Sequence, residues 1–480
     1  MAKQLFNSSE KSNFIVNMTE EKFSHLASWG LIATVLLTSI TTAIPVISGM
    51  KMYSLSSVGL TVGGVICMVL ALIGGMKKYI DRKIAIPAAA IGFSLVWAVI
   101  SMINSYDILV SINGYPGRGE GLLALLFYGS IFITAACIKT EKARTTVIWG
   151  ILINGLLNSI VGIVQIFTGA ISDFDKISLQ TAINAASGFS QSPMFLAMVL
   201  SVSITAAMGG LVLFEGNKSK IVCVISICLF SFVNMFTYSL IGICGTALAA
   251  IAGIVIIFAA KASKKNLLAI LGVIVPAAAA VVIVNCGVIG NINSYRLYDG
   301  RILWFADSYM RLNSSGNFDD DLVDIDDTAD VYYYINRKTG DIISNNVLVG
   351  TGPDQLVYLQ IYTFGATPAD DAYIEDVAML NKGTFDRAYN EYLNTAATRG
   401  IPSSIAFVVS ILGILIVGFS NYKKNRNNMT LCMTLMTAMG AVMFFICCSS
   451  TAFAPIFWAA AGCSVVNLNK KVKDKKKSKK

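Results

Sequence analysis

The sequence predicts an all-α polytopic membrane protein with about twelve transmembrane helices and a large extracytoplasmic loop between the ninth and tenth. Three observations predict it. The 480 residues are 55% hydrophobic and only 14% charged, the apolar residues fall in long blocks, and Lys and Arg gather in alternate loops. A helix needs roughly 20 apolar residues to cross a bilayer. Twelve segments qualify: 28–48, 55–75, 84–103, 120–137, 145–168, 193–214, 219–237, 239–260, 266–289, 401–419, 429–448 and 452–468. The weakest break is at 237/239, where no charge separates two segments.

The loops set the orientation. With the N-terminus inside, "MKKYIDRK" (76–83), "IKTEKAR" (138–144), "EGNKSK" (215–220), "KASKK" (261–265) and "NYKKNRNN" (421–428) face the cytoplasm. Together with the N-terminal segment and the tail "KKVKDKKKSKK" they hold most of the 37 Lys and Arg, while the acids concentrate on the other face. That is the positive-inside pattern of a plasma-membrane protein with both termini cytoplasmic. The expected organisation is a cytoplasmic segment 1–27, spans one to nine within 28–289, an extracytoplasmic catalytic loop 290–398, spans ten to twelve within 399–468, and a basic tail 469–480. The tail reads as an anchor to anionic lipid headgroups rather than a nucleic-acid arm. All ten cysteines fall within the expected spans, so neither a disulfide framework nor a CxxC metal site is expected, and small apolar packing residues are the natural reading.

Almost no charge lies inside the spans, which weighs against an ion-coupled carrier, because such carriers keep ionisable groups at mid-membrane. Polar residues concentrate in three outer segments, 104–121, 169–192 and 290–398. Within the last, 297–312 has the spacing of an amphipathic helix. Residues 315–330 form an acidic excursion that matches a calcium loop only loosely, lacking its mid-loop glycine and closing glutamate. "VYYYINRKTGDIISNN" (331–346) reads as a β-hairpin turning at Lys338-Thr339-Gly340. "LVGTGPDQL" (348–356) is a glycine turn, either plain or an anion-binding nest of successive N–H groups around Gly350 and Gly352.

Taken in order, "GRGEGLL" (117–123), "VGIVQIFTG" (161–169), "SGFSQSPMFLA" (187–197), "GRILWFAD" (300–307), "LVGTGPDQL" and "DRAYNEYLNTAATRGIPS" (386–403) resemble the outer motifs of the O-antigen ligase and O-antigen polymerase superfamily. The resemblance implies a membrane glycosyltransferase without metal or other cofactor. Its donor is a glycan on a polyprenyl-pyrophosphate carrier, and its acceptor is a hydroxyl of a glycan, lipid or protein on the outer face. Its other partners are membrane lipids, with no nucleic acid. Outer arginines hold the pyrophosphate, which suits guanidinium groups because they bind phosphate oxygens in bidentate fashion and stay charged. Arg118 and Arg301 match family positions, Arg296 and Arg387 are helpers, and Asn390 and Glu391 are substrate contacts. Two blander readings stand beside these: Arg118 as a snorkelling interfacial arginine, and Arg387 as an i, i+4 partner of Glu391.

The resemblance departs at the family's histidine, whose place is taken by Tyr389. The single histidine, His25, lies in the cytoplasmic segment. A tyrosine, with a pKa of about 10, is a poor base at neutral pH. Three readings remain open. Asp386, on one helical face with Tyr389, Asn390 and Leu393, takes the proton, with Glu391 on the opposite side; or Tyr389 holds the acceptor or a phosphate oxygen while arginine electrostatics carry catalysis; or the chain is a weakened paralogue. Ligase and polymerase are not separated by these motifs. A non-enzymatic polysaccharide or lipid exporter is the alternative from another class.

Overall fold

The computed structural model describes residues 17–48, 57–168, 185–190, 192–262, 264–285, 335, 339–358 and 387–467. Among these, all regular structure is helical. The helices are α1 (Glu20–Ser48), α2 (Val58–Met76), α3 (Ala85–Ser101), α4 (Ile108–Asn113), α5 (Leu122–Ala136), α6 (Glu141–Thr168), α7 (Pro193–Leu213), α8 (Asn217–Met235), α9 (Leu240–Ala259), α10 (Leu268–Asn285), α11 (Glu391–Asn425), α12 (Asn428–Met443) and α13 (Ala454–Ser464). Every expected apolar segment coincides with one of them. Eight helices are long and apolar enough to cross a membrane: α1, α2, α3 with its flanking 3-10 turns, α6, α7, α8, α9 and α11. The helices α5, α10, α12 and α13 are shorter. The doubtful break at 237/239 is real, since a turn with Tyr238 at φ 48° separates α8 from α9 and Ser239 caps the latter.

Long helices follow from the composition, because a backbone among apolar groups must satisfy its own N–H and C=O groups. Small residues then let the helices approach. A side chain at Gly63 would meet Thr34 of α1, and one at Gly64 would meet the Phe127 ring of α5. Helix α5 packs between α2 and α13, α11 runs along α3, and α7 sits among α8, α9 and α12, which buries it almost throughout. Along α6 runs a polar ladder. Ser39 donates to Asn154 (2.6 Å), Asn158 accepts from Phe189 N (2.9 Å) and Ser190 Oγ (3.2 Å), and Gln165 accepts from the N–H groups of Ser187 and Gly188 (2.9 and 2.8 Å). The "SGFS" turn ahead of α7 is thereby fastened to α6.

Helix α11 is broken at Gly400, whose φ of 78° and ψ of 163° lie in a region that glycine alone occupies readily. Two residues on, Pro402 has no N–H to give the carbonyl of Thr398. The loop 347–352 completes the break: Thr351 N donates to Ala397 O (3.0 Å), Gly352 N to Thr398 O (2.8 Å), and Ile401 N to Val347 O (2.9 Å). The carbonyls freed by the kink are thus satisfied by a segment distant in sequence.

Three expectations are corrected here. Residues 339–345 are helical, not the second strand of a hairpin. Thr339 donates to Ile335 O (2.7 Å), and Ile335, Thr339 and Ile342 are buried at i, i+4 and i+7, so helical periodicity overrides the β-branched composition. Residues 387–390 precede α11 rather than forming its first turn, so Tyr389 and Asn390 share no helical face with Leu393; Asn390 is the N-cap. The Gly350–Gly352 turn is no anion nest, because the N–H groups of Gly350, Thr351 and Gly352 are given to Asn346 O, Ala397 O and Thr398 O. The segments 297–312 and 315–330 and the tail 469–480 lie outside the described residues.

Replacing Gly400 with Ala forces a side chain into that backbone region and against the Leu348 carbonyl. The expected cost is about 1–3 kcal/mol, read as a lowered Tm of the detergent-purified protein; an unchanged Tm refutes the account of the kink.

Candidate functional site

The two ends of the bundle differ in charge. Lysines 22, 77, 78, 83, 139, 142, 218, 220, 261, 423 and 424 lie at the end that holds the α2–α3, α5–α6, α7–α8 and α11–α12 connections. At the opposite end the cations among the described residues are three arginines, Arg118, Arg387 and Arg399. Their exposures are 8%, 8% and 6%. The described cations at that end are therefore buried rather than spread on a solvated surface.

Arg118 forms a buried ion pair with Asp354. The "GRGEG" turn ahead of α5 and the "GTGPDQ" turn ahead of α11 are joined there, and Asp354 also accepts from Tyr115 N (2.6 Å). The guanidinium of Arg118 lies 6.0 Å from the Tyr115 ring centroid. Gln355 ties the same turn to α4, donating to Asp107 O (2.8 Å) and to Ser111 Oγ (3.0 Å). This burial overturns the snorkelling reading of Arg118.

Arg387 is buried and its guanidinium lies 5.1 Å from the centroid of Phe195, at the start of α7. Tyr389 is half-buried and packs against the main core. Asn390 spends its oxygen on the N–H groups of Tyr392 and Leu393 (3.0 and 3.1 Å) and gives its amide to Phe445 O (3.1 Å), so it anchors the start of α11 to the α12–α13 connection. Glu391 is the larger surprise. It is 4% exposed and is held by Ser449 N (2.8 Å), Thr395 Oγ1 (3.2 Å), Asn394 Nδ2 (3.4 Å) and Arg399 Nη2 (3.5 Å). Its ion pair is with Arg399, eight residues on, and not the expected i, i+4 partner.

Arg399 continues the network, donating to Thr395 Oγ1 (2.6 Å) and Ser94 Oγ of α3 (3.5 Å). Glu391, Arg399, Ser94, Ser449 and Tyr128 line a cavity together with apolar residues such as Ile91, Phe407 and Trp458. Its volume of about 40 Å³ has room for on the order of two or three waters.

Glu120 completes the cluster. Helix α5 begins at Leu122, so Glu120 precedes it. Its Oε1 accepts the Tyr128 hydroxyl at 2.6 Å. Burial pushes its carboxyl up to about 7, the Tyr128 hydrogen bond opposes that, nearby Glu391 adds to it, and Arg387 and Arg118 oppose it. Arg118, Arg387 and Glu391 thus act on one carboxylate, and Arg399 interacts with it as well.

Of the residues singled out in the sequence, Arg118, Arg387, Tyr389, Asn390 and Glu391 are described at this end, together with Gly350 and Gly352. Arg301, Arg296 and Asp386 lie outside the described residues. Glu120, Asp354 and Arg399 were missed, although each sits inside a quoted motif. Glu120 had a signal, a charge between two glycines ahead of an apolar helix start, while Asp354 and Arg399 had only a glycine nearby. His25 is exposed on α1 beside Trp29, at the lysine-rich end. Among the described residues no three His, Cys, Asp or Glu side chains are grouped as metal ligands. A comparison with protein-family models finds no match for this chain, and a comparison with curated proteins likewise finds none.

Removing one partner of a buried ion pair strands the other's charge. Asp354→Ala is expected to destabilise the protein by about 3–5 kcal/mol, whereas the double replacement Arg118→Met with Asp354→Leu restores most of the loss. Thermal unfolding in detergent checks both; equal losses in the single and double variants refute the pairing.

Proposed function

We propose that the chain is a glycosyltransferase of the O-antigen ligase or polymerase type. It moves a glycan from a polyprenyl-pyrophosphate carrier to an acceptor hydroxyl at the arginine-bearing end of the bundle. That end faces the outside of a plasma membrane in this reading, the lysine-rich end faces the cytoplasm, and all twelve apolar helices serve as spans.

One observation carries the reading: three guanidinium groups are buried with the carboxylates of Glu391 and Asp354, and act with them on half-buried Glu120, at the end that has no described lysine. Burying charge is costly unless something compensates it, and a bilayer-facing protein gains nothing from doing so three times for packing alone. A pyrophosphate leaving group gathers negative charge as its bond to the sugar breaks. Preorganised guanidinium groups in a water-poor setting stabilise that charge more than they do in water. Arg118 and Arg387 are the groups assigned to the pyrophosphate, joined in the proposal by Arg301 and Arg296. Arg399 keeps Glu391 fixed, and Tyr389 lies on the acceptor side. The ordered motifs of the sequence support the same reaction class.

The test is transfer in vitro, with purified protein, an oligosaccharide carried on undecaprenyl pyrophosphate, and analysis of product length and acceptor. Arg387→Lys retains the charge but loses the planar fork, and transfer is expected to fall roughly 100-fold. Wild-type rates in that variant take Arg387 out of the site.

A further inference from the structure

Resting on that reading, we propose that the Glu120 carboxylate is the general base that takes the acceptor's proton, since the one histidine, His25, lies at the lysine-rich end. The described acids at this end are Asp107, Glu120, Asp341, Asp354 and Glu391. Four of them are committed or remote. Asp107 caps α4, accepting from Leu109 N and Val110 N (2.8 and 3.3 Å). Asp354 is paired with Arg118 and the Tyr115 N–H. Glu391 is filled by four donors. Asp341 is exposed on the 339–345 helix, outside the buried cluster. Glu120 accepts one hydrogen bond among the described residues, from Tyr128 on Oε1, and the residue as a whole is half-buried.

Its neighbours suit the task. Tyr128 on α5 orients the carboxylate, Arg118 stands two residues before it in sequence, and Arg387, Glu391 and Arg399 act on it electrostatically. A carboxylate among arginines that hold the leaving pyrophosphate stands beside the carbon under attack. In the step, the acceptor oxygen forms a bond to the anomeric carbon while that carbon's bond to the pyrophosphate oxygen breaks. The bonding pair leaves with the pyrophosphate, and the acceptor's proton passes to Glu120, which later releases it to water. No oxidant, reductant or further reactant is needed. A base is most useful when it titrates near the working pH, and burial places this carboxyl at about 7.

The sign of the pH dependence follows. The charged form is the base, so transfer rises with pH through about 7. The same elevation means that this carboxyl's contribution to stability is present at low pH and declines as pH rises through about 7. Because the Tyr128 hydrogen bond favours the charged form, Tyr128→Phe is expected to move the rising limb to higher pH.

The experiment measures the pH profile of glycan transfer from undecaprenyl-pyrophosphate-linked oligosaccharide for wild type, Glu120→Gln, Glu120→Asp and Tyr128→Phe. Gln keeps an acceptor for the Tyr128 hydroxyl, so the fold is retained, and a Tm equal to wild type verifies it. The expected result is a loss of at least roughly 100-fold in Glu120→Gln, partial recovery in Glu120→Asp and an upward shift of the limb in Tyr128→Phe. If wild type transfers and Glu120→Gln matches it with the same limb, the assignment of Glu120 is overturned and the transferase reading stands. An unmoved limb in Tyr128→Phe also overturns it. If wild type transfers nothing at any pH, the transferase reading itself fails and this inference with it.

Discussion

The break at Gly400-Ile401-Pro402 is the constraint on which the polar end of the molecule depends. A proline without an N–H and a glycine turned out of helical geometry leave the carbonyls of Ala397 and Thr398 with no helical donor. A buried carbonyl left unpaired costs ~1–3 kcal/mol, so the loop 347–352 is drawn in to supply the missing N–H groups. Once it is there, Asp354 stands against Arg118, and Gln355 reaches α4. The short piece of α11 before the kink then holds Glu391 and Arg399 in the lining of the cavity. A backbone defect in one helix thereby decides where most of the described charge at this end is placed.

Charge at that end is arranged by pairing rather than by exposure. Arg118 and Arg399 each meet a carboxylate, and Arg387, which acts on Glu120, also lies against an aromatic face. Hydroxyl groups of Ser94, Thr395 and Ser403 take up remaining donors and acceptors. Such a network in low-dielectric surroundings makes every member's charge state sensitive to its neighbours. Glu120 is one such member: burial raises its carboxyl to about 7, while the Tyr128 hydrogen bond and the charges of Arg387 and Arg118 oppose the rise.

Much of the architecture was legible because the bilayer imposes a coarse rule that a single sequence displays. Apolar blocks of near-uniform length mark helices, and lysines mark one end. The short helices were overextended by a few residues, since hydropathy persists into turns such as 444–453. Residues 339–345 were misread because Ile342 and Ile343 suit a strand, while burial of Ile335, Thr339 and Ile342 together belongs to the helical period. The site was legible in outline, as arginines beside glycines. Its pairings were not, because Arg118 with Asp354 and Ser94 with Arg399 join residues hundreds of positions apart. The start of α11 was placed too early, so the partner of Glu391 was sought at Arg387 when the N-cap Asn390 turns the chain just before it.

The side chains along α6 bear on how this molecule deforms. Asn158 and Gln165 hold the 187–190 turn by bonds spaced two helical turns apart, and Asn154 is bonded to Ser39 of α1. Sliding α6 by one residue past its neighbours misaligns all of these at once, and no apolar surface can replace them. The helix is therefore keyed, like a toothed rack, and admits one register against α1 and α7. Motion that carries Phe195 and the guanidinium stacked on it has to take α6 along, so this quarter of the protein moves as a block or not at all.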